Sequence, residues 1–457
     1  MKLRGKKVVV VGLGDSGIAA ALLCVAQGAT VVGTDAARED RLSAPARELA
    51  GKGVILALGG HDRASFAGAE VVIVSPGVPP FAALDEAHAA GALVIGELEL
   101  ASYFVKAPIA AIGGTNGKST TTALTHKMLE AQGQKAFIGG NFGEPLSRAA
   151  LSTGRAKGGF DSLVVEVSSF QMERAPTFRP HVAALLNVTD DHLDRYSNFA
   201  AYAAAKGNMF VNQTDGDVAV VPKGDVIATR EARRGDGRIV TFGPGGDVSV
   251  DVAAGAFSDR LRGETYPLSL LRLSGSHNGL NACAAIACAS EMGAKAEAIR
   301  AALAAFEGLP HRTALVGTVG GVRFYDDSKG TNVGASVAAL RGLVEPKVVL
   351  IAGGRDKLGS YDPLIRELAE KGRALVLIGE AAKRIAEATR GTVEVARAGS
   401  MDEAVRTAAR LAREGDAVLL SPACSSFDMF RDYKDRGDQF AAAVRALGAP
   451  SDGEKGA

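Results

Sequence analysis

The chain has 457 residues, of which 47% are hydrophobic and 23% are charged, a balance typical of folded globular proteins that excludes a largely disordered chain. Its 52 Lys and Arg residues against 51 Asp and Glu residues leave a formal charge of +1, so no global charge favours nucleic acid or an anionic membrane. The 4 cysteines have no paired spacing, which predicts ordinary buried thiols in a reducing compartment.

The protein is expected to be cytoplasmic. Residues 8–11 form an apolar run directly after a basic N-terminus, but the run ends at Gly12 and is too short for a signal peptide. A transmembrane helix needs about 18 uninterrupted apolar residues, and the sequence has no such stretch.

Short apolar runs alternate with Ala-rich helical segments along almost the whole chain, which predicts parallel sheets with helices on both faces. Pro108 and Pro310 mark two hinges, because proline disfavours helix in the preceding residue. We therefore expect three α/β domains in series, with residues 218–273 adding a small antiparallel segment. The predicted domains span residues 1–107, 108–309 and 310–457. Predicted strands lie at residues 8–11, 30–33, 71–74, 93–95, 109–112, 163–166, 182–188, from 322 and at 347–352.

The first strand leads into a complete G-x-G-x-x-G pattern, made by Gly12, Gly14 and Gly17, that opens a helix. Asp35 follows the second strand, so the pattern alone predicts a nicotinamide or flavin dinucleotide with Asp35 on its ribose. A single pattern of this kind is also compatible with nothing more than a tight strand–helix turn.

A second glycine-rich turn follows the strand at residues 109–112 and ends in Gly117-Lys118-Ser119. Glycines let backbone N–H groups surround phosphate oxygens. Lys118 would bind the β/γ-phosphates, and the Ser119 hydroxyl would coordinate Mg²⁺. The strict P-loop pattern requires glycine where this chain has Ile112, so the turn is a shorter variant. The alternative is a glycine helix cap followed by an exposed lysine.

Three further residues lie around this turn in the predicted sheet. Glu166 ends a buried strand and could bind Mg²⁺, although a carboxylate at such a place is often only solvated. His192 lies in a loop beyond the next strand, where it could serve a metal or an oxyanion, or make a local hydrogen bond. Composition alone predicts that Lys206 is a surface lysine on a helix.

Taken together, these motifs resemble the Mur ligases of bacterial cell-wall synthesis. The resemblance rests on residues 114–120, 276–281, 309–312 and 326–332, together with the Glu166 strand and the His192 loop, and it extends over nearly the whole chain. It implies a Rossmann-like N-terminal domain, a central P-loop-type ATPase domain and a C-terminal Rossmann-like domain.

The implied activity is that of an ATP-dependent, ADP-forming amide ligase of peptidoglycan precursor synthesis. Residues 166–171, 191–196 and 421–426 are similar to the family members that join D-glutamate to the L-alanine carboxylate of UDP-N-acetylmuramoyl-L-alanine through an acyl phosphate. The implied partners are these two small molecules, with no nucleic acid, no membrane and a monomeric state.

The resemblance also implies an ATP site with two Mg²⁺ ions. Its catalytic residues would be Lys118, Glu166, His192 and Lys206, with Lys206 carbamylated by CO₂. Ser119 and Glu166 would hold one ion, and His192 and Lys206 the other. The residues expected to contact ATP are Gly114, Thr115, Asn116, Gly117, Lys118, Ser119, Thr120, Asn278, Asn281, Arg312 and Asp327.

The two other substrates would be held by residues of all three domains. The residues expected to bind the UDP-substrate are Gly14, Asp15, Ser16, Asp35, Gly77, Asn141, Ser168 and His192. Those expected to bind D-glutamate are Thr331, Lys357, Ser426 and Tyr433. Two departures from the family pattern are Ala36, where another polar residue is usual, and Tyr433, where phenylalanine is usual.

Two other functions stay open on the sequence. A nicotinamide-dependent oxidoreductase would explain the first glycine turn and leave Lys118 without a role. A non-catalytic sugar-nucleotide-binding protein would keep the first domain, and the intact Lys118, Glu166, His192 and Lys206 argue against it.

Overall fold

A computed structural model describes residues 1–153, 159–191, 195–273, 275–357 and 359–448 of the chain. Internal packing divides the chain into two compact units. The first unit comprises Met1–Val188, Ala200–Leu270 and Leu280–Ala305, and the second comprises Thr189–Phe199, Leu271–Gly279 and Phe306–Ala457.

The first sheet has five parallel strands in the order β3-β2-β1-β4-β5. Its strands are β1 (Lys7–Val11), β2 (Thr30–Asp35), β3 (Val54–Leu58), β4 (Val71–Val74) and β5 (Leu93–Gly96). The helices are α1 (Asp15–Ala26), α2 (Ala44–Arg47), α3 (Arg63–Phe66), α4 (Ala82–Ala89) and α5 (Glu97–Ser102). The strand order reverses between β1 and β4, and ligands of open parallel sheets bind at such a point.

The second sheet has nine strands in the order β14-β13-β12-β11-β10-β9-β6-β8-β7. Its strands are β6 (Ile109–Gly113), β7 (Ala136–Gly140), β8 (Ser162–Glu166), β9 (Val182–Leu185), β10 (Val218–Pro222), β11 (Arg238–Phe242), β12 (Val248–Asp251), β13 (Ala256–Asp259) and β14 (Glu264–Pro267). The helices are α6 (Lys118–Ala131), α7 (Leu146–Thr153), α8 (Ser169–Met172), α9 (Phe199–Gly207), α10 (Val226–Ala232), α11 (Ser276–Glu291) and α12 (Ala296–Ala305). Within residues 218–273, the expected antiparallel segment is confirmed for β12 to β14, which pair antiparallel, whereas β10 and β11 in the same stretch pair parallel with their neighbours.

The third sheet has six strands in the order β15-β16-β20-β17-β18-β19, parallel except for β15 at the edge. Its strands are β15 (Ala314–Val319), β16 (Val322–Asp326), β17 (Val348–Gly353), β18 (Gly372–Ile378), β19 (Glu394–Arg397) and β20 (Ala417–Leu420). The helices are α13 (Val333–Gly342), α14 (Asp362–Lys371), α15 (Ala382–Thr389), α16 (Met401–Leu411) and α17 (Tyr433–Leu447).

Each predicted strand is present in the structure, one of them with a different end, and several further strands had no predicted counterpart. Strand β9 ends at Leu185, three residues before the predicted end at 188, because the chain turns there towards the glycine turn after β6. Strand β3 was not predicted, although its residues Val54–Leu58 are apolar throughout, and β7, β15, β18 and β19 were not predicted either.

All four cysteines are buried and free, as expected. None of the helices in the described part of the chain has the length and apolar character that crossing a bilayer requires.

Candidate active site

The phosphate turn lies in the middle of the second sheet, where the carboxyl ends of β6, β8 and β9 are neighbours. The turn runs from Gly113 into α6, which begins at Lys118 and carries Ser119 and Thr120 in its first turn. Gly117 has a φ of 85° and precedes the helix as its N-cap. A Cβ at Gly117 would lie 2.2 Å from the side-chain oxygen of Asn281. The turn therefore needs glycine here, and the Asn281 side chain packs against it.

A carboxylate lies directly behind the turn. Glu166, buried at the end of β8, accepts a 2.7 Å hydrogen bond from the Ser119 hydroxyl and a 2.8 Å bond from the side-chain amide of Asn141. The backbone N–H of Asn141 donates to the Glu166 carbonyl, also at 2.8 Å. These oxygens are hard ligands, and Mg²⁺ is usually held by one or two carboxylates together with substrate phosphates, so the residues present fit the ion.

Helix α9 packs one face against the same turn. Lys206 and Tyr202 are four residues apart and therefore lie on one side of the helix. The Lys206 ammonium donates to the Gly114 carbonyl at 2.8 Å and lies 4.5 Å from the centre of the Tyr202 ring, while the Tyr202 hydroxyl lies 3.2 Å from that of Thr115. Lys206 is only 3% exposed, so the interpretation of a surface lysine is wrong.

The sequence analysis missed Asn187, which braces the turn from the start of the loop after β9. Its side-chain oxygen accepts from the Asn116 N–H at 2.9 Å, and its side-chain amide donates to the Asn116 carbonyl at 3.0 Å. The Asn187 carbonyl also accepts from the Thr115 N–H at 3.0 Å. The 71-residue separation between the two asparagines hides this pairing from any local pattern.

His192 lies outside the described residues. Within the described ranges, no three His, Cys, Asp or Glu side chains come together in an arrangement that could hold a metal ion. Among the described residues, the Ser119 hydroxyl and the Glu166 carboxylate place oxygen atoms beside the turn that could bind a metal ion.

The first glycine turn joins β1 to α1 at the switch point of the first sheet. A Cβ at Gly17 would lie 1.8 Å from the Gly12 carbonyl, so the helix can approach the strand only with glycine there. The Ser75 hydroxyl, after β4, donates to that carbonyl at 2.9 Å. Asp35 accepts from the N–H groups of Leu13 at 2.7 Å and Ala37 at 2.8 Å, so it braces the turn.

Seven of the eight predicted UDP-substrate residues lie at two places in the first unit, and the eighth, His192, lies outside the described residues. Gly14, Asp15, Ser16, Asp35 and Gly77 are at the carboxyl ends of β1, β2 and β4, with Gly14, Asp15 and Gly77 exposed. Two others lie in the second sheet.

Those two residues are near Glu166. Asn141 contacts Glu166 directly. Ser168 caps α8, where its side chain accepts from the Gln171 N–H and the Gln171 side chain accepts from the Ser168 N–H.

In the second unit, the candidate residues come from loops at the carboxyl ends of β16, β17 and β20. Asp327, after β16, is 4% exposed and accepts from the Ser421 hydroxyl, after β20, at 2.6 Å. Burial raises the pKa of Asp327 to about 6, although the Ser421 hydrogen bond and the charge of Arg312 oppose the increase.

Fully buried Arg436 on α17 ties two of these loops together, and the sequence analysis missed it. Its guanidinium donates to the Ser328 hydroxyl at 3.0 Å, the Ser328 carbonyl at 2.8 Å and the Cys424 carbonyl at 3.2 Å. Burial lowers its pKa to about 10, so it stays protonated at neutral pH.

The predicted D-glutamate residues lie on this edge of the sheet. Lys357, after β17, forms a 3.1 Å ion pair with Asp191 and lines a cavity of about 290 Å³. Thr331 is in the loop after β16, buried Ser426 is in the loop after β20, and Tyr433 begins α17.

A second cavity of about 200 Å³ in this unit brings together two residues predicted to contact ATP. Asn278 and Arg312 both line it, with His277 and Tyr325. Burial, and then the Arg312 charge, lower the pKa of His277, so a neutral ring faces this cavity.

The turn, its buried carboxylate and the parallel sheet define the class of the protein as a P-loop-type nucleotide-binding α/β protein. Three family models match in series. The Mur ligase MurD-like N-terminal domain matches residues 6–96, the Mur ligase middle domain 112–289, and the Mur ligase glutamate ligase domain 311–424. The chain belongs to the Mur ligase family.

Curated relatives are similar over nearly the full length. The UDP-N-acetylmuramoylalanine--D-glutamate ligase of Geobacter metallireducens is 45% identical, covering 98% of this chain and 99% of its own. That of Desulfosudis oleivorans is 44% identical, covering 98% of both.

Solved structures show the same fold at lower identity. The UDP-N-acetylmuramate-alanine ligase MurC of Thermotoga maritima has a TM-score of 0.61 and 20% identity, covering 96% of this chain and 99% of its own. The MurF ligase of Thermotoga maritima in complex with ADP has a TM-score of 0.60 and 17% identity, covering 98% and 96%. The expected three α/β domains in series are confirmed.

Proposed function

We propose that this chain joins D-glutamate to the L-alanine carboxylate of UDP-N-acetylmuramoyl-L-alanine, with ATP as the energy source, in peptidoglycan precursor synthesis. The observation that carries the proposal is the Ser119–Glu166 pair behind the Lys118 turn, in a chain 45% identical over its length to a ligase of that name. A carboxylate is a poor electrophile towards an amine, so the reaction needs activation by phosphoryl transfer.

The chemistry follows in two steps. A carboxylate oxygen of the L-alanine unit attacks the γ-phosphorus of ATP, ADP leaves, and an acyl phosphate forms. The D-glutamate amine then loses a proton and attacks the acyl carbon, the bond to the phosphate oxygen breaks, and the amide and phosphate are released. The protein contributes positioning and charge neutralisation, as in other phosphoryl transfers.

The residues of the phosphate turn would hold ATP. Lys118 would neutralise the β/γ-phosphates, and backbone N–H groups from Gly114 to Thr120 would surround them. Asn281, packed against Gly117, would contact the adenine side, together with Asn278, Arg312 and Asp327. Mg²⁺ held by Ser119 and Glu166 would neutralise negative charge on the transferring phosphoryl group.

Lys206 would carry a carbamate. CO₂ adds to a neutral amine, a carbon–nitrogen bond forms and a proton is released, which leaves an anion. The conversion is supported by burial, because a buried ammonium is costly and an anion beside the phosphate turn can hold Mg²⁺ together with His192.

The other substrates would lie at the strand ends described above. Gly14, Asp15, Ser16, Asp35 and Gly77 would bind the UDP group at the switch point of the first sheet, with Asn141, Ser168 and His192 near the reacting end. Thr331, Lys357, Ser426 and Tyr433 would bind D-glutamate. We also propose the domain limits 1–107, 108–309 and 310–457, a monomeric state and a cytoplasmic location.

Oxygen transfer tests the chemistry. With ¹⁸O in the L-alanine carboxylate, each turnover should place one ¹⁸O atom in the released phosphate, measured by mass spectrometry, and give one amide product. Phosphate without ¹⁸O would contradict the acyl phosphate.

Carbamylation is tested separately. A carbamate signal should appear in ¹³C NMR with labelled bicarbonate, and it should be absent from Lys206→Arg. A wild-type spectrum without that signal would contradict the carbamate.

A further inference from the structure

Two buried acids lie two residues apart on α5, the short helix after the last strand of the first sheet. Glu97 is 2% exposed and Glu99 is 0% exposed, although α5 has only six residues. Carboxylates are almost never fully buried unless they accept hydrogen bonds, so each must have a partner that compensates the lost hydration.

Glu97 holds the start of α7. Its side-chain oxygen Oε1 accepts from the backbone N–H of Ser147 at 2.6 Å, in the first turn of that helix, where N–H groups lack partners within the helix. Helix α7 follows the loop that carries Asn141, and Asn141 contacts Glu166. Glu97 therefore anchors the segment on one side of Glu166.

Glu99 holds the segment on the other side. It accepts from the Thr177 N–H at 3.1 Å, from the Thr177 hydroxyl, and from the Tyr103 hydroxyl at 2.7 Å. Thr177 follows α8. The N-cap of this helix is Ser168, two residues after Glu166. The Gly96 N–H adds a bond of 2.7 Å to the Arg174 carbonyl in the same segment.

We propose that Glu97 and Glu99 are positioning residues for the ligation, which hold the segments on both sides of Glu166 against the first sheet. The inference rests on the proposed function. The first sheet would bind the UDP group, whereas Asn141, Ser168 and Glu166, beside the phosphate turn, would lie near the L-alanine carboxylate. The two acids thereby set the distance between the two ends of one substrate.

The predicted consequence is a selective loss of activity. A displacement of about 1 Å can lower a rate up to about a hundredfold, so Glu97→Ala and Glu99→Ala should each lower kcat/KM for the UDP-substrate about tenfold or more. The KM for ATP should stay within about twofold of wild type, because neither acid contacts the phosphate turn. Glu97→Gln keeps the oxygen that accepts from Ser147 and should retain kcat/KM within about twofold.

Hydrogen exchange distinguishes a local loss of anchoring from a general loss of stability, because only the first speeds exchange in one segment alone. Glu97→Ala should speed exchange in residues 141–152 and leave residues 168–177 unchanged. Glu99→Ala should speed exchange in residues 168–177 and leave residues 141–152 unchanged. The matched control is Glu86→Ala on α4, whose side chain is half exposed and pairs with Arg63. It should change neither exchange nor kinetics.

The outcomes separate the two proposals. Wild-type protein without ligase activity would contradict the proposed function, while the exchange pattern would still test the anchoring. Active and folded alanine variants with wild-type kcat/KM, or with faster exchange spread equally over both segments, would overturn the positioning roles.

Discussion

Replacing Asp327 with asparagine should change how the stability of the third sheet depends on pH. Burial raises the pKa of Asp327 to about 6 from an ordinary value of 3.8. A carboxyl whose pKa is higher in the folded than in the unfolded state binds its proton more tightly when folded. The free energy of unfolding of the wild type therefore falls as the pH rises from about 4 to about 6.

The size of the effect follows from that pKa. One pH unit corresponds to about 1.4 kcal/mol, so above pH 6 the ionised Asp327 lowers the free energy of unfolding by about 3 kcal/mol. Asparagine has no charge to desolvate. Because the unfolded carboxyl is already more than half ionised at pH 4, the free energy of unfolding of Asp327→Asn minus that of the wild type should increase by about 2 kcal/mol between pH 4 and pH 7.

The assay is urea unfolding at pH 4, 5, 6 and 7. Unfolding is monitored by the hydrogen exchange of β16 and β20, so that the transition reports on this sheet. Asp416→Asn is the matched control. Burial raises the pKa of Asp416, but hydrogen bonds from Arg373 and the Arg413 N–H more than offset this and hold it below its ordinary value. Because the pKa of Asp416 is at or below 3.8 in both the unfolded and the folded protein, the free energy of unfolding of Asp416→Asn minus that of the wild type should change little between pH 4 and pH 7. A pH-independent difference for Asp327→Asn, or one that decreases with pH, would refute the reasoning.

Three further substitutions test other parts of the site. Gly117→Ala should raise the KM for ATP at least about tenfold, since the φ of 85° and the approach of Asn281 disfavour any side chain; an unchanged KM would contradict a role in phosphate binding. Asn187→Ala removes both side-chain hydrogen bonds to Asn116 and should raise the KM for ATP about tenfold in initial-rate assays. An equal rise in the KM for D-glutamate would argue against local bracing of the phosphate turn. Arg436→Met should lower the free energy of unfolding by about 3 kcal/mol in urea, because buried carbonyls lose a charged donor; a change below about 1 kcal/mol would contradict its bracing role.

Local features of the fold could be predicted because the signals for them are local. Residues 71–74 are a strand in both the prediction and the structure, since a buried parallel strand is apolar along its whole length. The turn before Lys118 also carries its own evidence, with a strand, glycines and a helix in order.

Tertiary contacts could not be predicted in this way. The burial of Lys206 depends on the Gly114 carbonyl, 92 residues earlier, and composition contains no trace of that contact. Asn187, Arg436, Glu97 and Glu99 likewise act on residues far away in the chain. Nothing in their own neighbourhoods distinguishes them from ordinary polar residues.

The central claim is tested most directly by phosphate release from ATP in the presence of Mg²⁺, bicarbonate and UDP-N-acetylmuramoyl-L-alanine, comparing D-glutamate, L-glutamate and no amino acid. We predict rapid release with D-glutamate, in a one-to-one ratio with the amide product, and only background release in the other two reactions. Release that is equal with and without D-glutamate, or release that requires a different amino acid, would contradict the proposed function.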